Sequence, residues 1–440
     1  MKQLNVLIIG DPFARSGGAM RCYEVIKRYK AFGASPILVV PPFTNKAYRL
    51  GNSLASLLRH GVKIVGLDSS LRYAQKRKGY IHEHEQMSLI SYRRLSLLAS
   101  RFSEEICDLL RDIKIDLVVG HHELWDVVQT THQIAKKLSV KSAVVLQLPP
   151  FYENSQKASE LDMLDSLNTL QLSKYHRLFT YYDSISTTLS QKIKSIFHTT
   201  MITYVQSGYY KLTISNNLSG INEVFAVSKS IPFEMGNNWS NKIAVLKPAV
   251  AIEQDWVQVT EKRKEAYVLY YARLIPTKGV LEIPLIWKEF LRQSPKNLKL
   301  YVVGSFRDKR VENAFNVLIA KLGLNDKVVC LGYVERKRLI NLVANASAVI
   351  YPSHIDSMSL MVLECLSLGT PVVAYDIPAI KLNYSNIAGV SIVPEYDVKT
   401  MACKLVQLIQ SKAVFSAVQP PTWNQVTENE LRSIQKLATT

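Results

Sequence analysis

Short apolar runs alternate with longer amphipathic stretches along most of the chain. The run Leu4 to Ile9 leads through a polar loop into Ala19 to Phe32, whose apolar positions recur at helical spacing and which Gly33 closes. Further runs at Ile37 to Val40, Ile115 to Val119, Ser142 to Gln147 and Val224 to Val227 are rich in β-branched residues and read as strands. Lys247-Pro248 reads as a linker. Beyond it the alternation resumes, with predicted strands at Ala266 to Ala272, Leu298 to Val303 and Lys327 to Leu331. Helices are predicted between and after them at Ile283 to Arg292, Arg310 to Leu322 and Arg336 to Ala344. Strands alternating with helices at this spacing predict α/β architecture with parallel, doubly wound sheets covered on both faces. The organisation expected is a domain over 1–246, a second over 247–420, and a terminal helix within 421–440 after Gln419-Pro420-Pro421. The stretch Phe151 to Ile221 mixes helical patterning with many aromatics and is a place for acceptor specificity.

The segment from Ala348 to Ala379 carries the most chemistry. A strand-like run, Ala348 to Tyr351, opens into a loop punctuated by Pro352, Ser353 and Asp356. A helix is predicted from Ser359 to Leu368, closed by Gly369 and Pro371, and a β-branched run to Tyr375 completes a strand–helix–strand unit. Apolar neighbours surround Glu364 on every side of that helix, which therefore has no obvious wet face. A carboxylate there is costly unless something hydrogen-bonds it. Asp356 lies in the loop feeding the helix N-terminus, where free N–H groups and the dipole favour an anion. Read individually, Glu364 also fits half of a buried ion pair, and Asp356 a helix cap.

Acid, seven residues, acid, then L-x-x-G-x-P-V-V is similar to the signature of the retaining glycosyltransferases of family 4. The resemblance implies a GT-B fold, two Rossmann-like domains facing across a cleft, with ligands at the carboxyl ends of the strands. It implies that Asp356 lies near the donor sugar and that Glu364 accepts hydrogen bonds from the donor ribose. Two departures stand out: Asp356 replaces the usual Glu, and Ser359 stands where the family often has Gly. Ser359, Leu360 and Met361 then form the helix end facing the donor phosphates. Arg273-Leu274-Ile275-Pro276-Thr277-Lys278-Gly279 matches the family's R-x-x-x-x-K-G loop, which implies that Arg273 and Lys278 grip the diphosphate. Gly332-Tyr333 resembles the segment that meets the base, and Gly17-Gly18 the glycine loop beside the phosphates. The family has a histidine near the end of the strand Ile115 to Val119. Adjacent strand-end residues face opposite ways, so one of His121 and His122 turns toward a ligand. His121 is carried with Asp356 as the catalytic candidate.

Composition changes the picture in one respect. The 440 residues are 48% hydrophobic, enough for two or three ordinary domains, and no apolar stretch is long enough to span a bilayer. The chain enters its first strand without a cleavable leader pattern. Five scattered cysteines without a C-x-x-C pair fit reduced thiols in a cytoplasmic protein. The net charge, however, is +18, and the stretch Arg72 to Arg101 holds seven basic residues against two acids. Basic residues there interleave with Tyr92, Leu95, Leu97, Leu98 and Phe102, a pattern suited to peripheral binding at an anionic membrane.

The expected function is transfer of a sugar from a nucleotide diphosphate donor to an acceptor hydroxyl on a glycan, glycolipid or lipid-linked precursor. The resemblance implies no cofactor and no metal, the nucleotide sugar being a substrate. Other GT-B-like enzymes, a sugar-nucleotide epimerase or a phosphorylase, would share the architecture. The positive charge alone also fits a nucleic-acid-binding protein. Zinc spacing and RNP-like aromatic motifs are lacking and the basic residues are dispersed, so nucleic acid is not an expected partner.

Overall fold

The computed structural model describes residues 3–13, 16–42, 51–78, 89–151, 211–256, 267–294, 298–306, 308–411 and 414–439. The stretch Phe151 to Ile221, apart from its ends, lies outside them, as does the central part of Arg72 to Arg101. The chain divides into two compact units. One comprises the described residues up to Ala251 together with 421–439, and the other Ile252–Pro420.

In the first unit the strands are β1 (Leu4–Ile9), β2 (Ala34–Val39), β3 (Lys63–Ile64), β4 (Leu117–Gly120), β5 (Lys141–Leu146), β6 (Glu223–Ala226) and β7 (Ile243–Val245). They form one sheet in the order β3-β2-β1-β4-β5-β6-β7. Every pairing is parallel, in register from Leu4↔Ala34 to Ile9↔Val39 on one flank of β1 and from Val6↔Leu117 to Ile9↔Gly120 on the other. Val6 to Ile9 and Leu117 to Val119 are fully buried, because helices such as Gly17–Ile26 and Trp125–Leu138 cover the sheet.

The second unit contains β8 (Tyr267–Tyr271), β9 (Lys299–Val303), β10 (Val328–Gly332), β11 (Ala348–Tyr351), β12 (Val372–Tyr375) and β13 (Val390–Val393). Their order is β10-β9-β8-β11-β12-β13, again parallel throughout. In both units the chain winds outward from a central strand and then returns to its other side. The reversals fall between β1 and β4 and between β8 and β11, where crossover loops diverge and leave a crevice. The loop after β8 and the loop after β11 carry the chemistry singled out in the sequence, and they flank one such point.

Some elements differ from expectation. The first helix stops at Ile26 rather than Phe32, and Tyr29–Phe32 tightens into a 3₁₀ turn that Gly33 ends at φ 86°. That turn puts the fully buried Tyr29 hydroxyl 2.6 Å from Glu430 Oε1. The terminal helix Trp423–Thr439 is part of the first unit and buries Trp423, Val426, Leu431, Ile434 and Leu437 there. In the helix Leu89–Leu109, Leu95, Leu98 and Phe102 belong to the core, so the apolar side of the expected membrane pattern is largely spent on packing. Leu97 stays 59% exposed, on a stripe with exposed Arg93 and Arg101. No described helix is long and apolar enough to cross a membrane.

Candidate active site

The site in the second unit begins with a close approach of two backbones. After β8 the chain turns through the 3₁₀ helix Pro276–Lys278 and ends it at Gly279, in left-handed conformation at φ 72°. A Cβ at Gly279 would lie 2.1 Å from the carbonyl oxygen of Pro352, so only glycine lets the two loops meet. Across that contact Lys278 Nζ donates to Asp356 Oδ2 at 2.9 Å, to the Ile355 carbonyl at 2.9 Å and to Ser353 Oγ at 3.3 Å. The Tyr351 hydroxyl donates to the same Asp356 oxygen, and the Ser357 N–H donates to the other at 2.9 Å. Burial pushes the Asp356 carboxyl up, but the Lys278 charge and these donors outweigh it and hold the group below the usual carboxylate range. Asp356 is therefore held as a carboxylate, and neighbouring hydrogen bonds fix both side chains of the pair.

Glu364 lies on the helix Leu360–Ser367, with Ser359 at the N-cap accepting from the Val362 N–H at 3.4 Å. Ser359 thus does local work where a glycine could not, since it satisfies one of the orphan donors of the first turn. The helix does have an open stripe. Leu360, Met361 and Glu364 are half-buried on one side, while Val362, Leu363, Cys365, Leu366 and Ser367 pack inside. The absence of a wet face read from the sequence is corrected accordingly, because polarity marks that stripe only at Glu364. Its Oε2 accepts from the Tyr271 hydroxyl at 3.1 Å. Burial pushes the Glu364 carboxyl up to about 8 against the opposing pull of that hydroxyl and of Arg336. Arg336 itself is held by Glu253 at 2.5 Å and Asp255 at 2.9 Å. Near neutral pH Glu364 is thus mostly a neutral acid, whereas Asp356 is ionised.

The remaining candidates stand at other strand exits. Arg273 is exposed two residues after β8. Gly332, at φ 64°, ends β10, and Tyr333, 77% exposed, follows it with the ring presented to solvent. In the first unit Ser16 caps the helix Gly17–Ile26 by accepting from the Ala19 N–H at 3.1 Å. Gly17 is exposed, and a Cβ at Gly18 would come 3.1 Å from the Gln147 side chain. His121 does not turn outward. Its side chain is fully inaccessible and Nε2 lies 3.1 Å from Glu430 Oε1. His122 keeps 26% of its side chain accessible, with Nδ1 3.3 Å from Glu123 Oε2. Alternation at the strand end therefore gives the core-facing place to His121 and the open one to His122.

Two clusters escaped the sequence reading. Glu430, fully buried, gathers Arg21 at 2.6 Å, Tyr29 and His121, and these partners hold its carboxyl well below the usual range despite the burial that raises it. A signal existed: Glu430 follows Val426 by one helical turn and precedes Ile434 by one, on the apolar stripe of the terminal helix. The second cluster is His354 with Glu282 and Glu395, beneath the Asp356 loop. No local pattern announces it.

With this geometry in view, comparison with known proteins is specific. Residues 252–418 match the family model described as glycosyl transferases group 1. The match runs over almost the whole of the second unit. An uncharacterised glycosyltransferase of Methanocaldococcus jannaschii is 30% identical over 146 residues, 32% of this chain and 32% of that protein. The O-antigen chain mannosyltransferase RfbU of Salmonella typhimurium is 24% identical over 181 residues, covering 40% and 48%. The matches thus span from about a third to a half of these relatives' length. The crystal structure of Anabaena HepE in complex with UDP and glucose shares the GT-B fold over 99% of this chain and 95% of that one, at 13% identity and a TM-score of 0.55. The matched segment contains Arg273, Lys278, Gly332, Tyr333, Asp356, Ser359, Leu360, Met361 and Glu364.

Proposed function

We propose that this chain is a retaining glycosyltransferase that moves a sugar from a nucleotide diphosphate donor to an acceptor hydroxyl on a glycan or lipid-linked precursor. The observation that carries the reading is the Asp356–Lys278 contact at 2.9 Å with Glu364 on the helix that follows Asp356, all beside the β8–β11 reversal. Lys278 and Arg273 are the cations for the diphosphate, and the first turn of the helix Leu360–Ser367 supplies N–H donors to the same oxygens. Charge builds on the diphosphate as the glycosidic bond breaks, and fixed donors stabilise that charge without reorganising. Asp356 faces the sugar, where a carboxylate orients hydroxyls and favours a positively charged anomeric carbon. Glu364 takes the ribose hydroxyls. Attack comes from the face the diphosphate leaves, a donor phosphate oxygen receiving the acceptor proton. In the first unit, the exposed Gly17, its neighbour Gly18 and the partly accessible His122 are the residues available to a ligand. Tyr333 provides a surface on which a base stacks.

HepE was crystallised with UDP and glucose, and RfbU is named a mannosyltransferase, which supports a hexose nucleotide as donor. The reaction in this proposal needs no metal, because cations and N–H groups occupy that role. The basic stripe of the helix Leu89–Leu109 supports work at an anionic cytoplasmic membrane face. A thermal-shift screen of the protein with UDP, GDP, ADP and TDP, in excess EDTA, tests the reading. One nucleotide should raise the melting temperature in proportion to the logarithm of its concentration. A flat response to all four, with and without magnesium, would overturn it.

A further inference from the structure

We propose that His354, gripped between Glu282 and Glu395, is the positioning residue that fixes the loop presenting Asp356. The imidazole is fully buried, with Nε2 2.9 Å from Glu282 Oε1 and Nδ1 2.8 Å from Glu395 Oε1. A ring that faces a carboxylate from both nitrogens needs a proton on each, so the group is an imidazolium. Tyr396 stacks on its face at 4.4 Å between centroids, and Tyr375 lies tilted at 5.4 Å. Glu282 is the N-cap residue of the helix Ile283–Gln293, and Glu395 follows β13. One side chain thereby ties the loop after β11 to two other elements of the sheet's carboxyl edge.

The tie is directional, and its direction matters two residues later. The backbone N–H of His354 donates to the Thr277 carbonyl at 3.1 Å, next to Lys278. Ser353 Oγ and the Ile355 carbonyl, on either side of His354, are two of the three acceptors of Lys278. Rotation of His354 would therefore move both the Asp356 carboxylate and the cation paired with it. An apolar side chain would fill the same space at less desolvation cost, since buried ion clusters seldom add stability over good apolar packing. What the cluster adds is a fixed orientation, and displacement of a reacting group by about 1 Å can cost on the order of a hundredfold in rate.

The anchoring stands on geometry alone, while its consequence for turnover rests on the transferase reading. Hydrogen–deuterium exchange on the full chain, wild type against H354Q, separates the two. Gln can donate to one carboxylate only. Peptides covering 352–359 should exchange about tenfold faster in H354Q, with β9 and β10 unchanged. Should H354Q not fold, E395L, which leaves the Glu282 contact, carries the same test, and E395Q should restore wild-type exchange because its amide oxygen still accepts from Nδ1–H. With a hexose derivative of the nucleotide selected by the thermal screen as donor, H354Q should lower kcat about tenfold or more and leave KM within about threefold, a split expected when only the transition state loses a contact. Unchanged exchange at 352–359, or equal acceleration across the whole unit, would overturn the anchor. Faster loop exchange with kcat unchanged would overturn its role in positioning. If the wild type bound no nucleotide while the loop still responded to H354Q, the transferase reading would fall and the anchor would stand.

Discussion

Lys278 Nζ and Asp356 Oδ2 are 2.9 Å apart, although 78 positions separate them in the chain. Neither charge would be comfortable there alone, since both side chains are mostly buried, at 15% and 20% exposure. Lys278 thus holds the carboxylate, and in the proposed donor site its remaining N–H groups would be available to a diphosphate that approaches the same loop.

Lys278→Ala should therefore act on both. Nucleotide-diphosphate affinity should fall by about 1–3 kcal/mol for a lost charge-assisted contact. The Asp356 carboxyl should rise toward neutral pH, because burial then acts without the cation that opposes it. Calorimetric titration across pH 5 to 8 reads both effects. Arg273→Ala, at an exposed position, should cost affinity without altering Asp356. Affinity equal to wild type in both variants would remove the loop from the site.

Glu364→Gln is close in shape to the neutral acid that burial favours in the free protein. A carboxyl that titrates at about 8 when folded and near 4.5 when unfolded costs stability increasingly as pH rises between the two, so the substitution should leave the melting temperature near that of the wild type at pH 4 and raise it at pH 7 and above. Donor turnover should still drop, since an amide cannot ionise to accept two ribose hydroxyls as a carboxylate can. Wild-type turnover in Glu364→Gln would refute the ribose assignment.

These relationships were unevenly legible in the sequence. Strands buried on both faces, such as Val6 to Ile9 and Val349 to Tyr351, write themselves as unbroken apolar runs, and so the sheet elements could be read. Glycine and proline spacing likewise placed Lys278 and Asp356 at strand exits. Their contact, though, depends on Gly279 meeting Pro352, which no local pattern encodes. His354 was missed because its partners lie 72 residues before and 41 after it. Glu430 carried a local signal in its place on the apolar stripe of the terminal helix, but its partners Arg21 and Tyr29 lie 409 and 401 positions away. His121 and His122 are neighbours whose roles differ only by which way a strand end faces, and identity alone cannot tell them apart.

The His354 cluster also sets a pH dependence. Two carboxylates raise the imidazole to about 9 against the lowering effect of burial, with Tyr375 and Tyr396 the other titratable groups at the ring. A folded value above the unfolded one of about 6.5 contributes stability that is complete below pH 6.5 and lost as pH rises through 9. The second unit should lose on the order of 2–3 kcal/mol over that interval. Denaturant melts at pH 6 and pH 9.5 check it, and H354Q should flatten most of the difference. A second unit equally stable at both pH values would contradict the imidazolium.

Glu430 predicts the opposite sign for the first unit. Its folded value lies below the ordinary glutamate range, so its contribution is present above about pH 4.5 and is lost as pH falls. Glu430→Gln leaves the fully buried Arg21 with the Ala249 carbonyl at 2.6 Å but without its charge partner. Removing one member of a buried pair typically costs about 3–5 kcal/mol. The variant should unfold the first unit early in urea while the second unit keeps its transition, and a loss below about 1 kcal/mol would mean that water reaches Arg21.

The structure narrows what can carry membrane contact. Leu95, Leu98 and Phe102 are committed to the core, so insertion of an apolar helix face is not available. What remains is electrostatic: exposed Arg93, Arg94 and Arg101 around Leu97 on the helix Leu89–Leu109. Each basic side chain near an anionic surface contributes about 1 kcal/mol at most. Binding should therefore require anionic lipid, weaken steeply between about 50 and 300 mM salt as screening shortens the reach of the charges, and saturate without burying tryptophan. Arg93→Glu with Arg94→Glu should reduce co-sedimentation with phosphatidylglycerol vesicles by at least tenfold and leave nucleotide binding in the second unit untouched. If wild type and double variant pellet alike, this stripe is not the contact surface. If neither pellets at low salt, the basic charge serves solubility, and the acceptor is sought among soluble glycans.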